Sequence, residues 1–235
     1  MLGHFLEYAV PTHQLLDSLD FYTRLGFSVA SDTGDARLGT IALSDGRLTV
    51  RLCGATGQPP TLVFVRPQLS ELANALQDIG IDPEYVALGD HQFNRLECRL
   101  PGGLSVMATE ARTHSPVTPQ PSVLGWFEEF EINGIGHDVN ARAWETLGFV
   151  VFDHRDRLRP EIIVANDSLS LSMQPRADVS HTTLVFTADD LESVYESLGL
   201  QGISAEISLA TTGNAPSEIR LRAPEGTVLA VRNVR

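Results

Sequence analysis

Few side chains in this 235-residue chain have the type and spacing to do chemistry, and the clearest are two glutamates. Glu7 and Glu129 stand at matching places in apolar stretches, Glu7-Tyr8-Ala9-Val10 and Glu129-Phe130-Glu131-Ile132. That regularity is more than a solvated surface charge requires. A carboxylate on an inward strand face can hold a ligand's donor group or act as a general base. It can equally be the ion-pair partner of an arginine, and Arg51, Arg99 and Arg222 lie on predicted strands. Of the seven histidines, His4 (near Glu7) and His181 (two before Thr183) are the weak metal candidates, each also explained as a strand-end residue near the surface. His13, His91, His114, His137 and His154 fall in predicted turns, strand ends or a linker and are read as solvated.

Other reactive types are scarce. Cys53 and Cys98 match no metal spacing and read as buried, reduced thiols. All 17 basic residues are arginine, which excludes a lysine Schiff base, a Walker lysine and a lysine general base. The chain has no GxSxG elbow, no GxGxxG opening a helix, no P-loop, no HExxH and no CxxC. Tyr8, Trp126, Phe130 and Trp144 read as packing residues rather than a stacking platform. The net charge of −13, with pI near 4.8, argues against nucleic acid and anionic membrane as partners. No apolar run approaches the ~18 residues of a membrane span. The start MLGHFLEY lacks the pattern of a signal peptide, so a cytoplasmic location is expected.

The elements that must position these residues repeat. Leu6 to Val10 reads as a strand, and Leu15, Leu19, Tyr22 and Leu25 form a helical stripe that ends at Gly26. Strands at Ser28 to Ala30, Gly39 to Leu43 and Arg47 to Cys53 follow. In the last, Leu48, Val50 and Leu52 alternate with Thr49 and Arg51, so the leucine face meets the helix and Thr49 points the other way. This strand–helix–three-strand unit recurs over residues 60 to 110, 126 to 175 and 181 to 235. Its helices close on Gly26, Gly80, Gly148 and Gly199; the odd pair is separated by 148 − 26 = 122 residues and the even pair by 199 − 80 = 119. Thr61-Leu62-Val63-Phe64 likewise matches Thr183-Leu184-Val185-Phe186. Between the halves, RTHSPVTPQPS (112–122) reads as a linker stiffened by three prolines. The expected architecture is α+β: a domain over 1–111, the linker, and a duplicate domain over 123–235.

A βαβββ unit whose helix reads LDFYTRLGF, used in pairs and closed by hairpins PGG before LSVMA and PEG before TVLAV, resembles the vicinal oxygen chelate superfamily. That group includes glyoxalase I, bleomycin resistance proteins and extradiol dioxygenases. The resemblance implies that paired units roll into glyoxalase-like cups whose inner face carries the metal ligands, usually two histidines and one or two glutamates. At those positions the first half of this chain has Glu7, Thr61, Met107 and, near the end of the first unit, Thr49. The second half has Glu129, Thr183, Ala230 and about Ser170. Each cup keeps one carboxylate, and one carboxylate with two hydroxyls is a poor set for a tightly held transition metal. The resemblance therefore implies a protein that binds a small organic molecule in a cup-shaped pocket lined by these eight residues, with no cofactor expected. The alternative is a lyase or dioxygenase with an atypical divalent-metal site in which Glu7 or Glu129 is the ligand or base, helped by His4 or His181. A homodimer is compatible with either.

Overall fold

The computed structural model describes residues 2–30, 39–54, 57–87, 94–100, 103–110, 120–133, 137–157, 159–174, 182–209 and 216–234. The fold is α+β: four βαβββ modules whose strands join into two eight-stranded mixed sheets. The first sheet contains β1 (His4–Pro11), β2 (Ser28–Val29), β3 (Thr40–Ser44), β4 (Thr49–Cys53), β5 (Thr61–Val65), β6 (Tyr85–Ala87), β7 (Arg95–Arg99) and β8 (Ser105–Thr109). Helices α1 (Leu15–Arg24) and α2 (Leu69–Asp78) belong to its two modules. The second contains β9 (Trp126–Asn133), β10 (Val150–Arg157), β11 (Arg159–Asn166), β12 (Leu169–Gln174), β13 (Thr183–Ala188), β14 (Glu206–Leu209), β15 (Pro216–Arg222) and β16 (Val228–Asn233), with α3 (His137–Thr146) and α4 (Leu191–Leu200). The strand orders are the same in both: β2-β3-β4-β1-β5-β8-β7-β6 and β10-β11-β12-β9-β13-β16-β15-β14.

Each order follows from the module. The first and last strands of a module must run parallel, because a helix and two strands intervene, and β5–β8 and β13–β16 are parallel pairs. Two modules then join through their first strands. Tyr8 pairs with Leu62, flanked by Glu7–Val63 and Ala9–Thr61, so the modules meet about a local two-fold at that pair. A bulge between Phe5 and Glu7 puts His4, opposite Val65, on the same face as Glu7, opposite Val63.

Helix ends obey the expected glycine chemistry with one correction. Gly26, Gly80 and Gly148 take positive φ and end α1, α2 and α3. In the fourth module Gly199 lies inside α4, and the left-handed residue is Gly202, with φ +68° and the Ile203 N–H bonded to the Leu198 carbonyl at 2.9 Å. The even-module spacing is therefore 202 − 80 = 122, equal to that of the odd pair. Another correction concerns α1, whose buried face is Ser18, Phe21 and Tyr22; Leu15 and Leu19 are only half-buried. Ser18 tolerates this because its hydroxyl is hydrogen-bonded on both sides, near Thr12 Oγ1 at 3.2 Å and donating to Glu225 Oε2 at 2.8 Å.

By packing, the chain forms two compact units that do not coincide with its halves. The first comprises Met1–Ala9, Pro59–Ser115 and Glu131–Ser180; the second comprises Val10–Gln58, Pro116–Phe130 and His181–Arg235. In the first, Phe149 meets Trp144 and Phe64 edge-on, at centroid distances of 4.7 and 6.4 Å. Leu2 N–H donates to the Leu147 carbonyl (2.8 Å) and Phe5 N–H to Ser168 Oγ (2.9 Å). In the second, Tyr22 donates to Glu225 Oε1 (2.8 Å), while Phe127 packs edge-on against Phe130 and Phe186. The linker residues 112–119 lie outside the described residues. No described helix is long and apolar enough to cross a membrane.

Candidate functional site

Alternation along β13, β15 and β16 separates an apolar face from a polar one. Leu184, Phe186, Ile219, Leu221, Leu229 and Val231 are buried on the face that packs against α4. On the opposite face the pairings give two rows across the strands, Val185–Ala230–Arg220 and Thr187–Arg232–Glu218. The charged groups there form a connected set. Glu218 accepts from Arg220 Nε through one oxygen and from Arg232 Nε through the other, the latter at 2.7 Å. Arg232 Nη1 stands 4.0 Å from Glu129 Oε1, with the two side chains only 14% and 4% exposed.

Burial pushes the Glu218 carboxyl up, but the Arg220 hydrogen bond and the Arg232 charge and hydrogen bond outweigh it and hold it below the usual carboxylate range. Glu129 is thus a buried carboxylate beside a guanidinium, the setting of one of the two roles open to it. Of the arginines anticipated, Arg99 pairs with Glu84 (3.3 Å) and Arg222 donates to the Gly226 carbonyl (3.0 Å); Arg232, which was not anticipated, stands beside Glu129. Arg222 and Arg232 share a strand face, and strand period alone does not tell two residues of equal parity apart.

Unit two brings Glu129, Thr183 and Ala230 to one sheet, all three nearly closed to solvent at 3%, 2% and 0% exposure. In unit one the pairings set Glu7, Val63, Met107 and Glu97 in one row, with Ala9, Thr61, Ser105 and Arg99 in the next. Glu7 is buried, Thr61 and Met107 are half-buried, and His4 is exposed. Thr61 Oγ1 donates to the Pro59 carbonyl at 2.9 Å. Thr49 belongs to unit two, where it donates to Ser44 Oγ (3.1 Å), and the half-buried Ser170 belongs to unit one.

Strand-end hydrogen bonds refine the equivalence of the first two modules. Thr12 N–H to the Cys53 carbonyl matches Arg66 N–H to the Thr109 carbonyl, which aligns Arg51 with Met107 and Thr49 with Ser105. Beside the half-buried Ser170, Ser172 is fully buried, and its hydroxyl has no hydrogen-bonding partner among the described residues. His181 lies outside the described residues. The two cysteines are not joined to each other; Cys53 is half-buried, correcting its expected burial, and burial with the Glu84 charge pushes the Cys98 thiol up to about 12.

No family model matches the chain, and no curated protein matches it in sequence. Solved structures do match over nearly its whole length. A catechol 2,3-dioxygenase is 16% identical, with 99% of this chain and 87% of that one covered at a TM-score of 0.66. The 2,2',3-trihydroxybiphenyl 1,2-dioxygenase of Sphingomonas wittichii strain RW1 is 12% identical, with coverage of 100% and 90% and a TM-score of 0.65. A variant of homoprotocatechuate 2,3-dioxygenase from Brevibacterium fuscum is 14% identical, covering 98% and 70% at 0.67. The chain has the fold of these extradiol dioxygenases, the vicinal oxygen chelate fold.

At the positions expected for metal ligands, the described side chains offer few strong donors. In the second sheet Glu129 already faces a guanidinium, Thr183 offers one neutral hydroxyl and Ala230 offers no donor. In the first, Glu7 stands with Thr61 and Met107, a weak hydroxyl and a thioether. Among the described residues no three His, Cys, Asp or Glu side chains gather into a group able to hold an ion.

Proposed function

We propose that this chain, with its vicinal oxygen chelate fold, binds a small organic molecule in its cup-shaped sheets without a tightly held metal. One observation carries the proposal: Arg232 supplies a positive charge beside Glu129, where the fold's metal-dependent members place a metal ligand. Polar groups left for a ligand are a few hydroxyls and charged side chains set among apolar ones, as in many small-molecule sites. Glu7, Thr61, Met107 and Ser170 would serve in the first compact unit, and Thr49, Glu129, Thr183 and Ala230 in the second. A cytoplasmic protein acting alone or as a homodimer is the corresponding setting. Titration calorimetry of the full chain against catechol, benzyl alcohol, benzoate and a bleomycin-type glycopeptide tests the proposal. Binding of at least one compound after dialysis against chelator is expected; silence across the whole set would remove it.

A second reading is a metal-dependent dioxygenase. It is favoured by the likeness to catechol 2,3-dioxygenase and by the bulge that turns His4 to the face of Glu7. Glu7 or Glu129 would then be a ligand or base, with His4 or His181 assisting. Protein purified without chelator would hold close to one transition-metal equivalent and consume oxygen with catechol. Less than about a tenth of an equivalent, with no activity regained on adding iron or manganese, decides against it.

A further inference from the structure

Charges on β15, β16 and β9 form a chain of alternating sign: Arg220, Glu218, Arg232, Glu129. Its middle is balanced, because Glu218 accepts from both guanidinium groups and Arg232 also faces Glu129. Arg220 is the cationic end. Its Nε is held by Glu218, while Nη1 and Nη2 meet no acceptor among the described residues, and the side chain is 30% exposed. The residue directly across on β16 is Ala230, which offers only a methyl group and no acceptor. The other cross-strand neighbour, Glu206 on the edge strand β14, is exposed to water. A guanidinium fixed through Nε presents its two terminal nitrogens as a fork that matches the two oxygens of a carboxylate.

We propose that Arg220 anchors the carboxylate of a small organic acid, which would meet the guanidinium on the side where Ala230 offers no acceptor. Val228, half-buried on the same face one row away, is the apolar neighbour for the rest of the molecule. This assignment rests on the small-molecule reading above and names the class of ligand. Glu218 has a second role here, holding Arg220 in place while Arg232 offsets its charge. Glu206 is a competitor for the same guanidinium.

The test is calorimetric titration of the full chain with benzoate, with benzamide as its neutral isostere and benzyl alcohol as a neutral aromatic. Benzoate should bind at least tenfold more tightly than benzamide. Arg220→Gln should weaken benzoate at least tenfold, and Arg220→Lys, which keeps the charge without the fork, should weaken it by a smaller factor. Glu206→Gln should tighten it, and Arg222→Gln, whose guanidinium is bonded to the Gly226 carbonyl, should leave it unchanged. Should Arg220→Gln melt early, the lysine and Glu206 variants decide: unchanged benzoate affinity in both overturns the assignment. Benzyl alcohol binding without any preference for benzoate also overturns it and leaves the broader small-molecule reading standing. Failure of all three compounds to bind the wild-type chain removes this assignment, and the broader reading falls only if catechol and the glycopeptide are silent too.

Discussion

At the scale of single residues, the positions under the tightest constraint are two glycines that strand periodicity does not mark. Gly3 and Gly125 take φ of +97° and +86°, and a Cβ on either would lie 2.2 Å from a backbone carbonyl oxygen, that of Val65 or Thr187. They are separated by 125 − 3 = 122 residues, the spacing that also relates Glu7 to Glu129 and Thr61 to Thr183. Left-handed strain and a clash with backbone act together, so Gly125→Ala should cost about 3 kcal/mol in denaturant unfolding. Gly57 has φ of +94° but nothing within 4 Å, so Gly57→Ala isolates the conformational cost, about 1 kcal/mol. Equal losses in the two variants would show that the close approach in β13 is relieved without penalty. Both glycines could be found in the sequence through the repeat. Their carbonyl neighbours could not, since those lie sixty-two residues further along (65 − 3 = 187 − 125 = 62).

At the scale of elements, β15 and β16 are held together by their ladder and by Glu218 bridging Arg220 and Arg232. Because the folded-state pKa of Glu218 lies below its ordinary value, the stability it contributes is present above the unfolded pKa and is lost as pH falls through the folded one. Glu218→Gln should therefore lower stability by about 1.5–3 kcal/mol near neutral pH, the range for hydrogen bonds to charged groups. The gap between wild type and variant should close progressively below about pH 4. Thermal melts of both proteins across this range check the sign. A gap that widened toward acid would mean that burial, and not the arginines, governs this carboxylate. The strands themselves follow from alternation: Val50 and Leu52 in β4 and Leu48 just before it are fully buried, while Thr49 and Arg51 are half-buried, as their spacing implies. Alternation does not set register, which is why Thr49 and not Arg51 reads as the equivalent of Met107 until the hydrogen bonds at the strand ends are in view.

At the scale of the whole molecule, sheets and packing divide the chain differently. Each eight-stranded sheet is built from one half of the sequence, while each compact unit draws on both halves. A fragment of residues 1–111 would lose Leu147 and Phe149 from beside Leu2 and Phe64, and Glu225 from beside Ser18 and Tyr22. Leu2, Phe64 and Tyr22 are each buried to within 1%. Exposing such residues removes a few kcal/mol apiece from a net stability of only about 5–15 kcal/mol. The fragment should bind a hydrophobic dye and lack a cooperative melt, and mixing it with 112–235 should restore one. A fragment that melts cooperatively alone would show that the halves are self-sufficient.

The sequence by itself determined the module, its four copies and their pairing into like halves. Those features rest on local periodicity and helix-ending glycines. Only the tertiary structure decided which module packs on which, that Gly202 rather than Gly199 ends the last helix, and that Arg232 stands beside Glu129. Contacts between segments far apart in the chain are selected by shape and charge in three dimensions, and strand parity permits several partners of which packing admits one.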